Sequence, residues 1–331
     1  MIFLKPKGLI TLSFALLFAS ATFAQEANPA VPGTINYVEG SVAVAGQPLT
    51  QRAVGTANLE PGQELTTAGG RAELLLTPGI FLRLDNNSSI RMISPGLTHT
   101  ELQLDHGRAE VEVDNLLKQN NIEIAENGIT TQVLKDGLYD FNADTGHLRV
   151  FQGEAAVFDA SGKPELVKSD RLLALSQDRV KPVKFDPDSV QDDFYNWSSL
   201  RSQYLAQANT QLAGQYAGSS YAAGWMWDPF FYGYTWLPGD GMFFNPFGWG
   251  FYSPWWIYGG GPIYGRGFYG GRGYGGHGFV GHGTYRGPVG SFRGGAVEGF
   301  HGGAGGGFHG GAGMGGGFHG GGMGGGGMRG R

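Results

Sequence analysis

The side chains best equipped for chemistry in this sequence are aromatic. From Gly224 to Trp256 it reads GWMWDPFFYGYTWLPGDGMFFNPFGWGFYSPWW. Rings with polar edges stack on sugars and anchor protein contacts. Trp225, Trp227, Tyr232, Tyr234, Trp236, Trp249, Tyr252, Trp255 and Trp256 are therefore the candidate binding residues. A membrane span is excluded. Pro229, Pro238, Pro246 and Pro254 break any helix there, and Asp228 and Asp240 would sit unpaired in lipid. Three readings remain, disorder of the block among them. The rings form a surface for an envelope polymer or envelope protein, or they clamp onto the chain's own domain as short β segments. Asp228-Pro229 and Pro238-Gly239-Asp240-Gly241 would then be turns.

A second chemistry is metal binding. His277, His282, His301, His309 and His319 lie in a flexible-looking tail, where imidazoles could converge on a soft divalent ion. Spacings of eight and ten, with Glu298 as the nearest acid, preorganise nothing, so this is the weaker alternative. RGFYGGRGYGGHG resembles the Arg-aromatic segments of RNA-binding proteins, but six Arg over the last 118 residues are too few. No nucleic-acid partner is expected. His99, His106 and His147 stand isolated near strand ends, Asp85–Ser89 fits a turn, and adjacent Asp192 and Asp193 point about 100° apart on a helix. Nucleophile elbow, HExxH and phosphate-cradling loop are all missing. With no Cys there is no thiol nucleophile and no disulfide. Neither an enzyme nor a cofactor is expected.

Two unlike halves carry these residues. Between Gln25 and Ala213 there are 25 acidic and 15 basic residues; from Gly214 onward there are three and six, with 45 of the 61 glycines. Within 34–176 apolar residues recur with period two: AELLL (Ala72–Leu76), IFLRL (Ile80–Leu84), ELQLD (Glu101–Asp105), AEVEVD (Ala109–Asp114), IEIAE (Ile122–Glu126) and LRVF (Leu148–Phe151). Alternation sends one set of side chains to a core and the other to water. Turn signals such as His106-Gly107 and Asn127-Gly128 separate the runs. The expected fold is mainly β, short antiparallel strands in a sandwich or short β-solenoid.

The period then changes. Phe194, Trp197, Leu200 or Arg201, Tyr204, Ala208 and Leu212 step by three and four. This predicts one C-terminal amphipathic helix over 188–213, capped by Asp188 or Ser189 and ended by Gly214. The aromatic block fills 214–258. After it, 259–331 is a Gly-rich tail with GFHGGAG at Gly299–Gly305 and Gly307–Gly313. Such repeats bury too little surface to offset chain entropy, so disorder is expected, with self-association as a possible use.

The order VEGSVAVAGQPLT, LEPGQELTTAGGRAELLLTPGIFLRLDNNSSIRM, LQLDHGRAEVEV and VLKDGLYDFNADTGHLRVFQGEAAVF resembles the FecR domain of bacterial envelope proteins over about Asn36 to Ser176. Gly62, Leu65, Thr67, Gly79, Ser88 or Ser89, Gly107, Gly137 and Gly153 fall where that family places turns and strand starts; the family's Gly-Thr is Gly137-Leu138 here. The resemblance implies a periplasmic regulatory domain that relays a receptor's state to a sigma-factor-binding segment. Only about seven residues precede the first apolar run, so that arm is expected to be absent and no direct sigma-factor contact is expected. Similar exported proteins carry such an aromatic block and preceding helix, and the resemblance implies no biochemical role for them.

The N-terminus MIFLKPKGLITLSFALLFASATFAQ has Lys5 and Lys7, an apolar run Leu9–Phe18, then Ala19, Ser20, Ala21 and Ala24. That is the order of a secretory signal peptide over 1–24, cleaved near Ala24, in preference to a retained anchor. The function expected is therefore a non-enzymatic exported envelope protein. Its β domain binds or senses, and its aromatic and Gly-rich segments attach it. The alternatives are an accessory regulator signalling through a separate membrane partner, or a metal-buffering tail.

Overall fold

The period-two runs become strands that break where glycine permits a backbone closed to other residues. At Gly107 φ is +77°, and a Cβ there would stand 2.2 Å from Ser88 Oγ, so the turn after His99–His106 requires glycine. The computed structural model describes residues 29–158, 163–175 and 180–258. One sheet orders Ile35–Glu39, Arg71–Leu75, Ile80–Leu84, Arg108–Val113, Gly137–Asn142, His147–Gln152, Arg171–Ala174 and Val183–Lys184. The other runs Pro164–Lys168, Glu154–Phe158, Ile129–Val133, Asn121–Glu126, His99–His106, Ser88–Pro95, Glu64–Thr67, Val42–Val44 and Gln47–Pro48.

The chain lays segments alternately in the two sheets. Among the described residues, pairing within them is antiparallel except between Asn121–Glu126 and His99–His106, which run parallel. The core fills the space between them, with Leu74, Leu82 and Val111 from the first sheet against Leu65, Ile90, Leu102 and Ile124 from the second. Neither strand order closes on itself, so the mainly β architecture is a sandwich, and antiparallel hairpins exclude the coils of a solenoid.

Helix α1 (Asp193–Gln215) follows. Its start differs from the expected one. Asp188 and Ser189 lie in a separate 3-10 turn, Pro187–Val190, led by Asp186. Asp192 caps α1, its carboxylate accepting from the Phe194 and Tyr195 amides at 3.2 and 3.1 Å, two of the donors a helix start leaves unpaired. Gly214 does not end the helix; Tyr216 does, its N–H reaching Leu212 O.

The aromatic block then folds as two hairpins, Gly224–Asp228 with Gly233–Leu237 and Met242–Phe244 with Gly250–Tyr252, followed by a short helix α2 (Pro254–Tyr258). Asp228 Oδ1 accepts the Phe230 amide at 2.8 Å, making the expected turn at Asp228-Pro229. No helix among the described residues is long and apolar enough to cross a membrane. Residues 1–24, where a signal peptide is expected, and 259–331, the expected Gly-rich tail, lie outside the described residues.

Candidate functional site

Alternation assigned the second face of the first sheet to water, and here the structure overturns the expectation. Glu73, Arg83, Glu110, Glu112, Asp114 and Asp140 are all fully buried or nearly so, because α1 and the aromatic block lie across that face. Charges removed from water must be paired, and most of these are. Arg83 donates to Glu73 at 2.9 Å and to Glu112 at 2.5 Å. From α1, Arg201 reaches Glu73 at 2.9 Å, and Ser202 donates to Glu112 at 2.5 Å. Arg108 bonds Asp140 at 2.6 Å and ties to the α1 cap Asp192; Arg149 reaches Asp140 at 2.9 Å.

Electrostatics divide the carboxyls. Burial pushes Glu73 up, but the Arg201 and Arg83 guanidiniums outweigh it and hold the group at about 2. Glu110 has Arg108 only at 3.9 Å. Burial, with Asp140 beside it, lifts Glu110 to about 8. Burial and neighbouring Glu112 lift Asp114 well above the usual range. The face thus combines paired ions with carboxyls that burial makes weaker acids than usual.

Three asparagines join the aromatic block to this base. Asn36 Nδ2 donates to Glu73 and to Tyr234 O, both at 2.9 Å, and its Oδ1 accepts the Tyr234 amide at 2.7 Å. Asn209 on α1 donates to Trp236 O at 2.9 Å and Tyr252 O at 3.1 Å, and accepts the Tyr252 amide at 2.7 Å. Asn245 donates to Glu112 at 2.9 Å and Ser202 at 2.5 Å. The helix face doing this is Ser198, Ser202, Leu205, Asn209 and Leu212, all buried, whereas Leu200 and Tyr204 of the expected stripe are exposed.

The candidate binding rings separate accordingly. Tyr234 and Trp236 are buried with Phe81 and Phe251 in a second apolar cluster, so they are core and not a binding surface. Trp236 stacks obliquely on Phe243 and Phe251, with centroids at 4.9 and 5.7 Å. Trp225 meets Phe81 edge-on at 5.1 Å and Trp227 meets Tyr234 at 5.2 Å; both are half-buried, as are Tyr252 and Trp256. Trp255 is 66% exposed, while Tyr232 and Trp249 are less so, at 39% and 37%. Phe230 at 83% and Tyr258 at 72% are outward rings that ranking by polar edge or by position had omitted. His277, His282, His301, His309 and His319 lie outside the described residues.

A cleft of about 650 Å³ opens beside the start of α1. Phe151, Phe185 and Tyr195 line it, with Asp170, Lys184 and Asp186 among its polar groups. The Phe151 and Phe185 rings meet edge-on at 5.4 Å. Glu110, Asp114 and Glu126, the carboxyls that burial raises most, do not line this cleft. The histidines were expected to be isolated. His106 Nδ1 lies 3.1 Å from Asn87 O at a turn, but His99 stands beside Glu101 and Glu123, brought together by the parallel strand pair that sequence spacing did not reveal.

Comparison with known proteins places the sandwich. Residues 63–157 match the family model described as FecR protein, so the chain carries a FecR domain there, within the stretch that the sequence resemblance marked. A search of curated proteins finds no match. Two crystal structures from Parabacteroides distasonis ATCC 8503, each described as a candidate anti-sigma factor, are similar in part. One has 14% identity and a TM-score of 0.31, covering 37% of this chain and 59% of its own. The second has 12% identity and a TM-score of 0.32, covering 42% and 64%. The chain thus spans about three fifths of those proteins' length.

Proposed function

We propose that this chain is an exported, non-enzymatic FecR-type protein whose sandwich serves as a binding or sensing scaffold. Outward rings of its folded aromatic block attach it to an envelope polymer or protein. One observation carries this reading: the block is pinned to the sheet by Asn36, Asn209 and Asn245, yet Phe230, Trp255 and Tyr258 remain largely exposed. Rings held on a rigid base and left in water are the residues that interfaces use as anchors. The absence of catalysis is supported by where the perturbed carboxyls lie. Glu110 and Asp114 are buried on the covered face of the first sheet, near arginines and other carboxylates, and do not line the cleft, as suits a structural role.

Co-sedimentation of the mature full chain with isolated cell-wall sacculi tests this. The comparison protein carries Phe230→Ser, Trp255→Ser and Tyr258→Ser, which spare the core rings. Pelleting that falls at least about tenfold in this variant, with an unchanged melting temperature, is the expected result. Equal pelleting, or none by either protein, overturns the attachment reading. A second reading, a regulator acting through a separate protein, is favoured by the FecR match and by the outward face of the second sheet, where Glu64, Arg91, Glu101 and Glu123 remain partly in water. Site-specific cross-linking from that face in cells would yield one discrete adduct.

A further inference from the structure

The outward face of the second sheet holds a constellation that the attachment reading does not use. Its one parallel pair sets His99 opposite Asn121 and Glu101 opposite Glu123. Thr100 and Leu102 point inward and are buried, so His99 and Glu101 face out. A ligand atom from each of His99, Glu101 and Glu123 lies within 4.8 Å of the other two. Like charges directly opposite on neighbouring strands repel. Among the described residues the contacts of these carboxylates are His99 Nε2, 3.6 Å from Glu101, and Asn121 Nδ2, 2.9 Å from Glu123. Neither is an arginine or lysine.

We infer that His99, Glu101 and Glu123 form a surface site for one divalent transition cation, with Zn²⁺ as its representative. One imidazole and two carboxylates are a common ligand set for such ions, and three protein ligands leave a fourth position open. The distances require only side-chain rotation, since bonds of about 2.0–2.2 Å place ligand atoms a little over 3 Å apart.

Neighbouring amides supply the support a histidine ligand needs. Gln132 Nε2 donates to Asn121 Oδ1 at 2.7 Å, leaving Asn121 Nδ2 for Glu123 and for His99 Nδ1 at 3.1 Å. In that arrangement Nδ1 accepts, and the ring proton sits on Nε2 facing Glu101. Rotating both amides by half a turn gives the complementary state. Asn121 Nδ2 then donates to Gln132 Oε1, and Asn121 Oδ1 accepts a proton now carried on Nδ1. Nε2 is freed for the cation, and Glu123 exchanges its amide for the same ion. The imidazole keeps one proton throughout, and the backbone does not move. Asn121 is thus a positioning residue.

The test uses the full chain with His277, His282, His301, His309 and His319 replaced by Ala, so that the tail does not compete. Titration calorimetry with ZnCl₂ should give one equivalent. His99→Ala and Glu123→Gln should each weaken it by at least about tenfold, and Asn121→Ala by about 10–100-fold. Zinc-edge X-ray absorption of the loaded protein should show one imidazole among oxygen ligands, a signature that a merely structural role for these residues would not produce. His99 is 45% exposed by side chain, so metal-free melting temperatures should match. No uptake by the parent, equal uptake by His99→Ala, or an edge spectrum without imidazole would each overturn the site.

Discussion

Glu126 offers the sharpest check on the electrostatics of this fold. It ends the strand Asn121–Glu126 on the inward side with Ile122 and Ile124, is fully buried, and neither carboxylate oxygen has a hydrogen-bond partner. Burial, with Asp140 adding to it, raises the carboxyl from 4.5 to about 8. Between those values the native chain holds a proton that the unfolded chain has released. Stability therefore falls as pH rises through this window, by about 1.4 kcal/mol per unit from this residue. Below 4.5 both states are protonated and the loss vanishes. Glu126→Gln keeps the shape and removes the titration. At neutral pH the unfolded state of the variant no longer gains the ionisation, worth about 3 kcal/mol. Against that stands about 1–2 kcal/mol for an extra buried N–H group. The two stability curves should cross: the variant is weaker near pH 4 and stronger near pH 8. Urea unfolding across that range measures both. Parallel curves would refute the assignment, because they would mean that Glu126 ionises alike in the folded and unfolded chains.

Three further outcomes follow from the packing. Asn209→Ala leaves Trp236 O, Tyr252 O and the Tyr252 amide without their partner, and should cost about 3 kcal/mol in chemical denaturation. Trp236→Ala should cost about 3–5 kcal/mol, whereas Trp255→Ser should stay within about 0.5 kcal/mol; similar losses in both would contradict the division into core and outward rings. Gly153 has φ +107°, and a Cβ there would stand 2.2 Å from the Tyr139 hydroxyl, which itself donates to Lys135 O at 2.5 Å. Gly153→Ala should therefore destabilise by more than about 2 kcal/mol, measured by thermal melting.

The strands were legible because one side of each obeys a simple rule. Ile80, Leu82 and Leu84 repeat at period two, as do Ala109, Val111 and Val113, and all enter the core. The fate of the other side was not legible. Arg83, Glu110 and Glu112 at alternate positions look the same whether water or a helix covers them, and only tertiary contact decides. The helix carried a usable signal: Ser198, Ser202, Leu205, Asn209 and Leu212 step by four and three, and all are buried. Ranking positions by apolarity alone favoured Leu200 and Tyr204, because a polar stripe reads as a core face only when its partner is also polar. The aromatic block resisted for the opposite reason. Every position is greasy, so nothing in the sequence separates Trp236 from Trp255. His99 and Glu123 met through a parallel pairing, and no local spacing encodes register between distant strands.

The chemistry between α1 and the sheet also bears on how tightly the two are joined. An oily seam must stay shut, because parting it presents apolar surface to water over its whole area. A seam of arginine, carboxylate, serine and asparagine gives up its internal bonds on parting and recovers hydration in their place. Arg108 and Asp192 lie where this exchange is easiest, at the rim, with Asp192 half in solvent. The helix is thus held by two kinds of contact: directional pairs near its capped end, Arg108 with Asp192 and Arg201 with Glu73, and farther along an apolar cluster of Leu205 and Ala206 with Leu75 and Phe81.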